Sequence, residues 1–119
     1  MSTPLVAQEG KGILSTASNG AAGIPAVIAV LKELVPGEDR VATVPEVVVK
    51  LTKSGHEVRV EHDAGMKAFY PDDLYLAAGA RITSGHKDLL HGARVVLRVQ
   101  PLTVAEIDQL DEGTIVIGF

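Results

Sequence analysis

AVLKELVPGEDRVATVP, from Ala29 to Pro45, runs from an apolar segment through a turn and three charges to the start of a helix. Ala26 to Leu31 is short, β-branched and apolar, bounded by Pro25 and by Lys32-Glu33. That pattern suits a strand buried on both faces, as parallel sheets require. Pro36-Gly37 is a turn-forming pair. Thr43 and Glu46 have capping-box spacing, and Pro45 is tolerable in a first helical turn. In a parallel α/β sheet ligands are met at the loops leaving the carboxyl ends of strands. Arg40 is therefore expected on such a loop.

Outward from this stretch the same alternation repeats. Val44, Val47, Val48 and Leu51 form one apolar helical stripe, closed by Gly55 at the C′ position. His56 to His62 alternates, with Val58 and Val60 on one face, and reads as a more exposed strand at the sheet edge. Pro71-Asp72-Asp73 opens a second helix, with Leu74, Ala77 and Ala78 inward and Gly79 stopping it. Arg81-Ile82-Thr83 is a minimal third strand. Ser84 is placed to cap a short helix reaching Ala93, with Leu89 and Leu90 inward. Arg94 to Val99 is the fourth strand, ended by Gln100-Pro101. Thr103 and Glu106 form a second capping box, with Val104, Ile107 and Leu110 on the apolar face and Gly113 closing the segment. Thr114 to Phe119 is the fifth strand.

This alternation implies parallel strands joined by right-handed crossovers. The expected fold is a flavodoxin-like open parallel sheet of about five strands, order 2-1-3-4-5, with helices on both faces. Residues 1–24, rich in Ser, Thr, Gly and Ala, read as a flexible tail, and residues 25–119 as the folded unit. Ending on an apolar strand leaves the last face uncovered, so a partial chain is expected.

Size and composition narrow the function. The 119 residues suffice for one domain with a real core. A net charge of −4 and only 3% aromatic residues leave neither a basic face nor a stacking platform for nucleic acid. The absence of cysteine excludes disulfides, thiol chemistry and Cys-type zinc sites, and fits a cytosolic chain. No apolar run approaches the roughly 20 residues of a spanning helix. The amino terminus lacks the basic and apolar regions of a secretory signal.

No GxGxxG, GxxxxGK[ST] or GxSxG motif occurs. His86 and His91 are off the same-face spacing of a helical metal pair, so no metal site is expected. Asp72-Asp73 is explained by a helix N-terminus. Glu38-Asp39 lies where a phospho-receiver carries its acidic pair, yet Arg81-Ile82-Thr83 offers no phosphoacceptor Asp. Arg40 has the fork that grips a carboxylate or phosphate. The competing role is an ion pair with Glu33, Glu38 or Asp39.

Several strings in order then carry a family resemblance: Lys32-Glu33, PGEDRVA (Pro36 to Ala42), Pro45-Glu46-Val47-Val48 and GHEVRVEHDAG (Gly55 to Gly65), followed by AAGARI (Ala77 to Ile82) and VVLRVQP (Val95 to Pro101). The segment Ile28 to Phe119 resembles the N-terminal domain shared by alanine dehydrogenase and the alpha subunit of NAD(P) transhydrogenase. The resemblance implies an amino-terminal half that closes over a separate Rossmann NAD-binding domain, with the nicotinamide in the cleft. It places Arg40 and Gln100 on the substrate side of that cleft. In alanine dehydrogenases the arginine binds the keto acid's carboxylate and a lysine stands at the Gln100 position. Gln100 cannot supply that charge, and Leu31 and Val44 also depart from the alanine dehydrogenase signature. These departures favour the transhydrogenase branch. What it implies is hydride transfer between NAD(H) and NADP(H), coupled to proton translocation by a membrane-embedded subunit. The complex would be a cytoplasmic, membrane-peripheral homo-oligomer. The chain alone is expected to be inactive, to bind no cofactor and to carry no catalytic residue. An alanine or related amino-acid dehydrogenase, and a non-catalytic interaction module, are the alternatives.

Overall fold

The computed structural model describes residues 6–7 and 25–118. Among these residues six strands form one sheet: β1 (Val6–Ala7), β2 (Val27–Val30), β3 (Glu57–Glu61), β4 (Arg81–Thr83), β5 (Val95–Leu97) and β6 (Ile115–Ile117). Among the described residues the helices are α1 (Pro45–Lys53), α2 (Asp72–Ala77), α3 (His86–Leu90) and α4 (Val104–Asp108), and a 3₁₀ turn spans Met66–Ala68. All five strand pairings are parallel.

The spatial order is β1-β6-β5-β2-β3-β4. The open α/β sheet is as expected, but the five expected strands follow the order 3-2-1-4-5, not 2-1-3-4-5. Polarity explains the difference. The expected order sets Arg81-Ile82-Thr83 beside the central strand, yet no residue of this strand is fully buried. Val95, Val96 and Leu97 are all buried, and they take the place beside β2. β3 is correspondingly interior, between β2 and β4, and β4 holds the edge that His56 to His62 was expected to occupy. Two residues within the expected tail, Val6 and Ala7, pair with Val116 and Ile117. The rest of that tail lies outside the described residues.

Alternation along the strands builds two apolar layers. Ile28, Val30, Val58, Val60, Val95, Leu97 and Ile117 meet Val48 and Leu51 of α1 and Tyr75 of α2. Ala29, Leu31 and Val96 meet Leu89 and Leu90 of α3. α1 ends in a Schellman motif: the His56 amide donates to Leu51 C=O at 3.1 Å and the Gly55 amide to Thr52 C=O at 3.0 Å. Gly55 has φ of +95°, which a side chain would strain.

Several expected helix details are corrected. Pro45 occupies the first turn and moves the α1 cap to Val44, so Thr43 forms no capping box. The Thr43 carbonyl instead accepts from the buried Tyr75 hydroxyl at 2.8 Å. That bond and burial turn Tyr75 and Ala78 inward on α2, while Leu74 and Ala77 stay exposed. Gly85, not Ser84, caps α3, which ends at Leu90. The Thr103–Glu106 capping box forms as expected. On α4, however, Glu106 faces inward while Val104 and Ile107 are exposed.

Candidate functional site

The chain leaves β2 towards β3 on one side and leaves β5 towards β6 on the other. β2 and β5 are hydrogen-bonded neighbours, so the sheet's topological switch point lies between their carboxyl ends. Crevices of this kind take ligands in open α/β sheets. Arg40 stands on the loop after β2 and Gln100 on the loop after β5. The structure thus brings the two expected residues to one place.

The β2 loop turns at Pro36-Gly37. The Glu38 amide donates to Val35 C=O at 3.0 Å and Gly37 has φ of +90°, a type II turn that needs glycine in its third position. The turn carries Glu38 inward, and Glu38 holds both expected residues. Arg40 Nε donates to Glu38 Oε2 at 2.8 Å and Arg40 Nη2 to Oε1 at 2.9 Å. Gln100 Nε2 donates to the same Oε1 at 2.7 Å. The Arg40 and Gln100 side-chain donors hold the Glu38 carboxyl far below the ordinary range, at about 2. Of the three ion-pair partners considered for Arg40, Glu38 is the one engaged; the Arg40 side chain is 67% exposed while that of Glu38 is 7% exposed.

A second polar lattice fixes the two loops. Glu33, from the β2 loop, accepts from the backbone amides of Val99 at 2.7 Å and Gln100 at 3.0 Å. Arg98, from the end of β5, donates to Lys32 C=O at 2.9 Å and to Glu106 Oε1 at 2.5 Å. Burial works to raise the Glu106 pKa. It is outweighed by the Thr103 amide and the Arg98 guanidinium, which leave it below the usual carboxylate value. Both Arg98 and Glu106 are buried. In the sequence Glu33 and Glu38 are read as ion-pair partners of Arg40, and Glu38 also as half of an acidic pair, while Arg98 is read only as part of a strand. The further signal for Glu33 and Arg98 is position, since they fall three residues past Val30 and one past Leu97 at the carboxyl ends of β2 and β5.

Beside this lattice, a crevice lined by Lys32, Glu33, Glu38, Arg40, Asp63, Ala64 and Lys67 encloses about 10 Å³, room for roughly one water. The residues present do not fit a whole dinucleotide. The loop from Leu31 to Val44 is long and carries two buried carboxylates where a pyrophosphate would need a tight glycine turn against a helix N-terminus.

At the carboxyl end of β3, His62, Asp63 and Asp72 bring ligand-type atoms within 4.8 Å of one another, a grouping that no spacing in the sequence signals. Its acceptors are engaged internally. Asp72 Oδ2 lies 2.6 Å from His62 Nδ1, and Asp72 Oδ1 accepts from the Asp63 amide at 2.9 Å. No described helix is long and apolar enough to cross a membrane.

Comparison with known proteins agrees with this architecture. The chain is 52% identical over 80 residues to the first portion of the NAD(P) transhydrogenase alpha subunit of Rhodospirillum rubrum, a match covering 66% of this chain and 21% of that protein. It is 39% identical over 93 residues to alanine dehydrogenase 1 of Staphylococcus aureus strain Mu50, covering 78% of this chain and 24% of the relative. The crystal structure of transhydrogenase from Sinorhizobium meliloti superposes with a TM-score of 0.72 at 37% identity, over 77% of this chain and 27% of that one. The chain therefore spans about a quarter of the length of the relatives it matches. The alanine dehydrogenase/PNT N-terminal domain model matches residues 29–119, and the chain belongs to that family.

Proposed function

We propose that this chain supplies the amino-terminal domain of an NAD(P) transhydrogenase alpha subunit. The complete protein transfers hydride between NAD(H) and NADP(H), coupled to proton translocation by a membrane-embedded partner subunit. The observation that carries this reading is the Gln100 amide bound to Glu38 beside Arg40. It puts an uncharged side chain where keto-acid recognition calls for a second cation. The greater identity to a transhydrogenase subunit than to an alanine dehydrogenase supports the same choice.

In this reading the chain's own residues shape one wall of a cleft. Glu33 and Arg98 fix the two switch-point loops, and Glu38 presents Arg40 and Gln100 to the cleft. The dinucleotide, which supplies the hydride chemistry, is held by a separate Rossmann domain. In the assembled homo-oligomer this domain is cytoplasmic and peripheral to the membrane.

Replacing the matching segment of the R. rubrum subunit with residues 29–119 tests the reading. Retained transhydrogenation with no alanine-dependent NAD reduction is the expected result. Alanine oxidation by an equivalent graft into the S. aureus enzyme, without transhydrogenation in the first, would favour the dehydrogenase. The exposed Arg40 guanidinium at the switch point is the feature that such a dehydrogenase would use.

A further inference from the structure

The sheet face under α3 changes character at its β4 edge. Leu89 and Leu90 pack on Ala29, Leu31 and Val96, and β4 contributes no residue to that layer. Register carries Ala29 across to Arg59 and Arg81, and Glu61 across to Thr83. Side chains alternate along a strand, so Arg59, Arg81 and Thr83 share the α3 face. Between them and the end of α3 lies a cavity of about 280 Å³, lined by Arg59, Arg81, Ile82, Thr83, Asp88 and His91. It shares no lining residue with the switch-point crevice.

Arg59 is the fixed part of the lining. Its Nε donates to Glu57 Oε2 at 2.6 Å, and its Nη1 donates to the carbonyls of Asp88 at 3.0 Å and His91 at 2.6 Å. Arg81 is uncommitted by comparison. Its Nη1 lies 3.7 Å from the same Glu57 oxygen, beyond hydrogen-bond reach, and its side chain is 74% exposed. One carboxylate oxygen is thus shared by two guanidiniums, and Glu61 on the same face is turned to the Lys32 amide at 2.8 Å. Thr83 Oγ1 is buried and has no hydrogen-bond partner among the described residues. Buried hydroxyls are nearly always bonded, so an unbonded one lining a cavity marks where a ligand oxygen belongs.

We propose that this cavity binds the phosphate group of a small phosphomonoester. Arg81 and Thr83 are the direct donors, and Arg59 is the positioning residue that holds the end of α3 as the opposite wall. A guanidinium and a hydroxyl two residues apart on one strand suit an acceptor whose oxygens point in several directions, as those of phosphate do and those of a planar carboxylate do not. At about 280 Å³ the cavity is near the lower bound of small-molecule sites, which leaves room for a short carbon chain beside the phosphate. Asp88, the one carboxylate among the described lining residues, suits a hydroxyl of that chain.

The test titrates the isotope-labelled full chain with inorganic phosphate, glycerol 3-phosphate and acetate at constant ionic strength. The Arg81 Nε–H and the Thr83 amide are followed by NMR. Both phosphates are expected to shift both signals saturably with millimolar affinity, the ester at least as tightly as the free ion. Acetate should bind at least about fivefold more weakly. Shifts that do not saturate, that acetate reproduces equally, or that fail to occur would leave Arg81 a solvated edge residue and overturn the proposal. Tighter binding of inorganic phosphate than of the ester overturns it as well. Arg81→Gln should weaken glycerol 3-phosphate at least about tenfold. Thr83→Val removes a hydroxyl that bonds to no described residue, so the urea midpoint should hold or rise while affinity drops about fivefold or more. A folded variant of either kind that binds as the parent does overturns the assignment. So does a Thr83→Val midpoint well below the parent's, since the hydroxyl would then serve the fold.

Discussion

Glu33 and Arg98 cross-stitch the switch point: each leaves one loop and bonds to the backbone of the other. The Glu33 carboxylate takes two amides of the β5 loop, and Arg98 Nη2 reaches the Lys32 carbonyl on the β2 loop. Their side chains also approach directly, Arg98 Nε lying 3.9 Å from Glu33 Oε1. Two loops distant in sequence are thereby held as one surface before any ligand arrives.

Arg98→Met should be the most damaging substitution at this edge. It leaves the buried carboxylates of Glu33 and Glu106 without their shared cation. Removing one partner of a buried pair costs about 3–5 kcal/mol. Urea unfolding should show the midpoint fall accordingly, and an unchanged midpoint would remove the lattice from the stability argument.

Stability should fall on acidification from pH 5 towards pH 2. Glu38 is lowered from 4.5 to about 2, and Glu106 is shifted in the same direction. The unfolded chain thus binds protons that the folded chain resists. The stabilisation is present above the unfolded value and is lost as pH drops through the folded one. Denaturant midpoints measured across that range should flatten in Glu38→Gln, with the remaining slope carried by Glu106 and other carboxylates.

Gly65→Ala should destabilise by about 1–3 kcal/mol through overpacking. A Cβ at this position would stand 2.6 Å from the Tyr70 carbonyl oxygen and 2.7 Å from the Tyr75 ring. Tyr75 cannot readily yield, being fully buried and bonded to Thr43. Tyr75→Phe should cost about 1 kcal/mol by removing that bond. Thermal unfolding of the two variants separates the steric from the hydrogen-bond contribution.

Phe69→Gly should have the opposite sign. Phe69 follows the 3₁₀ turn in the left-handed region at φ of +68°, and it is 88% exposed. Glycine adopts that backbone without the side-chain clash, while almost no buried area is lost. A gain of about 1 kcal/mol is expected from relieved strain. A loss of similar size in the unfolding midpoint would show that the ring packs on something when the chain is in solution.

The local grammar of the fold is legible in the residues and its long-range pairing is not. Ala26 to Leu31 reads as a doubly buried strand because nothing polar interrupts it. Gly55 and the Thr103–Glu106 pair mark helix ends through purely local bonds. Strand order is decided by which segments share the centre, and there the polarity of Arg81-Ile82-Thr83 counts for more than adjacency in sequence. The α4 face departs from its apolar pattern because a stripe of Val104 and Ile107 loses to one buried ion pair, Arg98–Glu106. Arg40 and Gln100 can be placed by loop position and family resemblance, whereas Glu38 reads as an ion-pair partner for Arg40 or as half of an acidic pair with Asp39. Its role as their common anchor requires knowing that the loops after β2 and β5 are neighbours.

The pairing of Val6–Ala7 along β6 bears on how copies of this chain behave towards one another. Thr114 to Ile117 is an uncharged, β-branched segment of the kind that templates intermolecular strand addition when its edge is bare. The Val6–Ala7 pair covers that edge at Val116 and Ile117, and the opposite edge ends on a three-residue strand bearing the exposed Arg81. Clipping the chain after Ala7 would therefore uncover an adhesive border, and the loss would register as self-association at high concentration before it registered in the core.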